Sequence, residues 1–242
     1  MMASVFKGLV LAINMLTAIP FFKVHTFDRG INGYAVMFYP LVGLILGALL
    51  YLFYTIAGMF FPQAHVAVMV LVLWVMLTGA LHLDGFADTV DGLYVSKERA
   101  FAVMKDPNIG AMGMIFTALL LLLKVSLLIH LEHVELLPLL LMLSRYNALL
   151  WIRFYPYLST NGIGSLAKQE FTTTQLMISS VMVLVCVTFF QSWVLWLASF
   201  LAAWLTALFF MRRYGGFSGD IYGFGIEMSE IVLLHLLVLS VL

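Results

Sequence analysis

The chain has a single cysteine, Cys186, so an intrachain disulfide is impossible. Its place inside an apolar run makes it a spectator thiol. Charge is almost as scarce. Asp, Glu, Lys and Arg make up 10% of the 242 residues, where soluble domains carry about 25%. Twelve basic and twelve acidic residues cancel, which excludes the basic surface that a nucleic-acid partner requires. No Ser/His/Asp arrangement is evident either, so nothing suggests covalent catalysis. What the chain has in excess is apolar surface: 64% hydrophobic residues and a mean hydropathy of +1.08. A soluble domain is thereby excluded, and the expected class is an all-α polytopic membrane bundle. The fifteen methionines fill packing space in the apolar runs.

A bilayer needs about 20 apolar residues per helical span. Stretches of that kind fall near 35–61, 64–83, 109–131, 134–154, 175–190, 192–211 and 226–242, which predicts about seven spans. An eighth apolar stretch, 4–22, is interrupted by Lys7, Asn14 and Pro20. It is expected as an interfacial or re-entrant helix, although a full span stays open. The whole chain, 1–242, is expected to form one membrane-embedded catalytic domain. The 175–211 region has almost no polar character and reads as lipid-facing scaffold.

The connections near 62–63, 132–133 and 191 contain no Lys or Arg. The opposite ends carry Lys23 and Arg29, then Lys97, Arg99 and Lys105, then Arg153 and Lys168, then Arg212 and Arg213. The positive-inside rule makes that second side cytoplasmic, and every polar, motif-like segment falls on it.

The most informative segment is Gly-Ala-Leu-His-Leu-Asp-Gly-Phe-Ala-Asp-Thr-Val-Asp-Gly at 79–92. Asp84, Asp88 and Asp91 stand at i, i+4 and i+7, on one face of a helix. Three crowded carboxylates at the edge of hydrocarbon call for a positive partner. A hard divalent ion such as Mg²⁺ suits them, because it takes carboxylate oxygens together with substrate phosphate oxygens. A solvated acidic helix end is the alternative. Gly85 and Gly92 would let a ligand approach the backbone closely.

Three further segments complete a constellation. In Met-Lys-Asp-Pro-Asn-Ile-Gly-Ala-Met-Gly (104–113), Pro107 and Gly110 break the chain just before a span whose start suits an anion. Lys105 is there as a point charge, for a phosphate or for lipid headgroups. In Ser-Arg-Tyr-Asn (144–147), Arg145 lies within an apolar segment and must meet a phosphate or a carboxylate. Arg153, two turns on, suits an interfacial anchor, as do Tyr155 and Tyr157. The segment from Arg212 to Glu230 reads as a glycine-rich loop with Arg213 and Asp220, running into a span that carries Glu227 and Glu230. Those two acids face a polar interior, with pairing to Lys124 or Arg145 as an alternative. His25, His130 and His133 have no ligand spacing.

The four segments GALHLDGFADTVDG, MKDPNIGAMG, SRYNALLWIRFYPY and RRYGGFSGDIYGFGIEMSE, in this order over essentially the whole chain, resemble the cobalamin synthases, also called adenosylcobinamide-GDP ribazoletransferases. Pro107-Asn108 stands where that family often has Ser-Arg, and Tyr146 where a Trp commonly follows the Arg. The resemblance implies transfer of adenosylcobinamide phosphate from adenosylcobinamide-GDP to α-ribazole or its 5′-phosphate, with release of GMP. It implies Mg²⁺ on Asp84, Asp88 and Asp91, with one of these or His82 as general base. Lys105, Asp106, Arg145, Arg213, Asp220 and Glu227 would serve the substrate or complete the metal shell. The expected setting is a prokaryotic cytoplasmic (inner) membrane with the site facing the cytoplasm. The partners are the two substrates and the bilayer, with homo-oligomerisation open. Two rivals are weighed. CDP-alcohol phosphotransferases place an Ala-Arg pair where this chain has Asp88-Thr89, and a cation-coupled transporter would show discontinuous spans and an internal repeat.

Overall fold

The computed structural model describes residues 2–19, 30–159 and 163–239. Pro20, Lys23, His25, Arg29, Asn161 and Gly162 lie outside the described residues. Within them the chain is helical, and its only extended pairing is an isolated bridge between Tyr157 and Phe217. Five helices are long and apolar enough to cross a bilayer: α2 (Ile31–Ala57), α6 (Ala111–Ile129), α7 (Leu137–Phe154, entered through a 3-10 turn at Val134–Leu136), α10 (Trp193–Arg213) and α11 (Gly219–Val238). Counting each of two bent pairs as one span brings the number to seven: α3 (Gln63–Thr78) with α4 (Leu81–Leu93), and α8 (Ile163–Glu170) with α9 (Thr173–Phe189). The fold is an all-α polytopic bundle, completed by the short helices α1 (Met2–Leu16) and α5 (Lys97–Met104). α1 packs along α2. At about 1.5 Å per residue its 15 residues fall short of a hydrocarbon core about 30 Å thick.

Two expected spans end differently. The run at 64–83 is broken by a bend of 87°. Gly79 and Ala80 both have left-handed backbones, with φ of 60° and 56°. Their N–H groups close α3 on the carbonyls of Met76 and Val75. Hydropathy does not register this turn, because the residues on both sides are apolar. The run at 226–242 begins too late. α11 starts at Gly219, where the Ser218 hydroxyl accepts a hydrogen bond from the Ile221 N–H. Arg212 and Arg213 belong to the last turn of α10. Only the five residues between these helices form the loop that the glycines suggested.

α7 is the hub, with Leu137 and Leu139 through Leu143 almost entirely buried. α2 lies tightly against it. A Cβ on Gly43 or Gly47 would collide with the backbone of Leu141 or Leu137, the small-xxx-small solution to close helix contact in lipid. Polar side chains tie the remaining helices to this pair. Asn147 donates to the Ser229 hydroxyl at 3.0 Å and to the Ser199 carbonyl at 3.2 Å. The Trp151 indole N–H donates to the Ala203 carbonyl at 3.0 Å, and Ser179 donates to the Met37 carbonyl at 2.7 Å. α9 and α10 otherwise expose large apolar side chains outward, as lipid-facing scaffold requires.

Candidate active site

The bend after α3 lays α4 across the end of the bundle, against the start of α11. Two glycines set how closely they cross. A Cβ on Gly85 would sit 2.9 Å from the Asp220 carbonyl oxygen, and one on Gly223 would sit 3.2 Å from the His82 carbonyl oxygen. Gly85 therefore admits a neighbouring helix. Gly92 likewise admits the Met104 side chain. This crossing brings together residues far apart in sequence. His82, Asp84 and Gly85 from α4 and Asp220, Tyr222 and Gly223 from α11 line one cavity of about 240 Å³. Tyr39 of α2, the ends of α1 and α7, Tyr157 and part of α8 close it.

Asp84 is exposed at the cavity mouth, and Asp88, one turn on, is half-buried. Asp84, Asp91 and Asp220 all act electrostatically on Asp88, and both Asp84 and Lys105 act on Asp220. The mouth is thus a concentrated patch of negative charge with Lys105 beside it.

Asp91 is placed otherwise than the i, i+4, i+7 spacing suggested. Its side chain is buried, and its two carboxylate oxygens accept hydrogen bonds from the Gly110 N–H at 2.7 Å and the Gly113 N–H at 2.8 Å. The start of α6 does attract an anion, as helix N-termini do, but the anion is the chain's own Asp91. A Cβ at Gly110 or Gly113 would occupy the position of that carboxylate. Among the described residues, no three His, Cys, Asp or Glu side chains are grouped tightly enough to cage a metal by themselves. Carboxylates available singly or in pairs are Asp84, Asp88 and, across the cleft, Asp220. That donor set fits an ion such as Mg²⁺, which takes one or two carboxylates and completes its shell with water and substrate phosphate.

Arg145 and Glu227 also depart from their expected place at substrate. Both are buried in the bundle. Lys124 Nζ lies 2.6 Å from Glu227 Oε2 and 2.5 Å from Glu230 Oε2, and it sits 4.5 Å over the Trp74 ring. The Arg145 guanidinium pairs with Glu230 and donates to the Ser144 hydroxyl at 2.8 Å. Two cations and two anions neutralise one another, because an unpaired charge at that depth is very costly. The second Arg145 terminal nitrogen stands 3.4 Å from His82 Nδ1. A guanidinium only donates, so Nδ1 is the acceptor and the ring proton sits on Nε2. In this tautomer His82 carries an N–H donor at Nε2.

Arg213 donates to the Val95 carbonyl at 3.0 Å, and the Tyr214 hydroxyl donates to the Gly92 carbonyl at 3.1 Å. Together they hold the end of α4 to the end of α10. Lys105 is exposed where α5 ends. Asp106 is exposed and accepts from both the backbone N–H and the side-chain amide of Asn108, each at 2.9 Å. Those bonds favour the carboxylate and hold Asp106 below its ordinary pKa.

Sequence reasoning missed Tyr39 and Tyr222 and assigned Tyr157 to the membrane interface. Tyr157 stacks on Tyr222 with ring centres 5.9 Å apart, and the column continues through Phe217 to Trp151. The available signal was the alternation of aromatics and glycines from Tyr214 to Phe224.

The chain has relatives among known proteins. A family model described as cobalamin-5-phosphate synthase matches residues 8–238. The adenosylcobinamide-GDP ribazoletransferase of Desulforamulus reducens is 34% identical over 249 residues, covering 97% of each chain. That of Desulfitobacterium hafniense is 36% identical over 244 residues, covering 94% of this chain and 95% of its own. The Acinetobacter baumannii protein of the same name is 34% identical, covering 95% and 96%. No solved structure is significantly similar. The match over nearly the full length of both partners establishes that the chain belongs to the cobalamin-5-phosphate synthase family.

Proposed function

We propose that the protein is an adenosylcobinamide-GDP ribazoletransferase. The observation that carries this reading is the near full-length match to enzymes of that name. The carboxylate-rich mouth at the crossing of α4 and α11 supplies a place for the chemistry. A ribose hydroxyl of α-ribazole, or of its 5′-phosphate, attacks the phosphorus joined to cobinamide. The new O–P bond forms as the bond to GMP breaks, and GMP leaves with that electron pair. The hydroxyl proton passes to whichever of Asp84 and Asp220 is not engaged with a metal. One or two of Asp84, Asp88 and Asp220 would hold a Mg²⁺ ion, which would supply charge withdrawal from the diphosphate. Lys105 adds positive charge beside the departing phosphate, and Asp106 holds the shape of its loop through Asn108. Arg145 and Glu227 act at a distance, by fixing α7, α6 and α11 and the tautomer of His82.

The setting is the cytoplasmic membrane, and the charge distribution supports a cavity that faces the cytoplasm. Lys97, Arg99, Lys105, Arg153, Lys168, Arg212 and Arg213 all lie at the cavity end of the bundle, and the turns at 58–62, 130–133 and 190–192 carry no Lys or Arg. The test is GMP release by nanodisc-held protein given adenosylcobinamide-GDP and α-ribazole phosphate. Metal-dependent GMP, matched by a corrinoid product, is expected. A folded protein that releases none refutes the reading.

A further inference from the structure

Two buried polar atoms on residues that line the cavity have no hydrogen-bond partner among the described residues: His82 Nε2 and the Tyr222 hydroxyl. His82 is 4% exposed and Tyr222 9% exposed, and both side chains line the cavity. Buried polar groups are rarely left unpaired unless something else pairs them. The rest of the lining is mostly apolar or aromatic. Tyr222 and Tyr157 form its stacked wall, backed by Phe217 and Trp151, and Tyr39 lies on α2. The Tyr39 hydroxyl is occupied by the Met15 sulfur at 3.7 Å, which helps fix that ring. The cavity thus combines a rigid aromatic wall, two unused polar groups and a mouth lined by Asp84 and Asp220.

From this we infer that the cavity is the subsite for the base of the smaller substrate, the flat benzimidazole of α-ribazole, and that the corrinoid stays outside it. The inference rests on the transferase reading and adds to it which substrate enters the bundle and which residues select it. A volume of about 240 Å³ suits a bicyclic aromatic ring with part of its ribose, and a corrin macrocycle is far too large. The ring lies on Tyr157, the end of the stacked column, where offset stacking is favourable. The Tyr222 hydroxyl and the His82 N–H find their partners in the ring nitrogen and the ribose oxygens. Seated this way, the ribose points to the mouth, where its hydroxyl must meet the phosphorus. Arg145 is a positioning residue in this scheme: through Nδ1 it keeps the His82 proton on the cavity side.

The experiment is equilibrium binding of α-ribazole and, separately, of adenosylcobinamide-GDP to nanodisc-held protein. Wild type is compared with Tyr157→Leu, Tyr157→Phe and Tyr222→Phe. Tyr157→Leu is expected to weaken α-ribazole by about ten-fold, from lost stacking. Tyr222→Phe, which removes one hydroxyl, is expected to weaken it by about five-fold. Tyr157→Phe keeps the ring and stays within about two-fold of wild type, which separates stacking from damage to the fold. All three should leave the corrinoid within about two-fold, since it makes no contact with this wall. Free benzimidazole should displace α-ribazole and leave the corrinoid bound. Unchanged α-ribazole affinity in Tyr157→Leu and Tyr222→Phe, or equal losses for both substrates, overturns the inference while wild-type GMP release keeps the transferase reading. Wild type that binds neither substrate and releases no GMP overturns both.

Discussion

At the residue scale, neighbouring aspartates on one helix face have different work. Asp84 lies exposed at the cavity mouth, and Asp91 is spent on the backbone of α6. Asp84→Asn is expected to lower kcat by about 100-fold or more, as loss of a proton acceptor does, with the thermal unfolding midpoint unchanged. Asp91→Ala is expected to behave in reverse. It leaves the Gly110 and Gly113 N–H groups without their acceptor and destabilises the fold by about 1–3 kcal/mol, measurable as a lower unfolding midpoint. The Mg²⁺ concentration for half-maximal rate separates these roles further: it should rise in Asp88→Asn and stay put in Asp91→Asn. Spacing alone placed the three carboxylates on one stripe, and that stripe exists. The backbone donors that claim the third of them come from a turn 19 residues later in sequence, so periodicity within α4 carried no sign of them.

At the element scale, the site depends on how closely α4 crosses α11. Gly85→Leu should force the Asp220 backbone away, abolish turnover and widen the cavity. Its mirror at Gly223 should do the same through the His82 carbonyl. A combined loss of activity and α-ribazole affinity, with helix content by circular dichroism retained, is the expected result. Most helices were legible as apolar runs, because a bilayer admits few other patterns. Their pairing was less so. The break at Gly79–Ala80 lies inside an unbroken apolar stretch, and the start of α11 is disguised by glycines that look like loop residues. Both errors bear on the site, since the bend and the early start of α11 bring Asp84 and Asp220 together. Lys124, Arg145, Glu227 and Glu230 were visible as charges in need of partners. That they satisfy one another was one of two readings, and only the packing of α6, α7 and α11 decides between them.

At the scale of the whole molecule, that buried quartet is a neutral lock. Glu230→Gln weakens the pairing of both Lys124 and Arg145 at once. Breaking a buried pair costs about 3–5 kcal/mol, so the variant is expected to unfold at markedly lower temperature in the same detergent. The surrounding charge distribution predicts orientation. With Cys186 replaced by serine, a cysteine introduced at Lys97 should react with an impermeant thiol reagent only from the cytoplasmic side of membrane vesicles, and one at Glu132 only from the other. Labelling of both from one side contradicts the layout of spans.

In the proposed reaction this bundle joins a corrinoid nucleotide to α-ribazole at the carboxylate mouth of the α4–α11 cleft. The most direct test follows GMP and corrinoid product together, in nanodiscs, with and without Mg²⁺, for wild type and Asp84→Asn. The account predicts equimolar, Mg²⁺-dependent GMP and product from wild type and almost none from the folded variant. Undiminished turnover in Asp84→Asn, or no product from well-folded wild type, contradicts it.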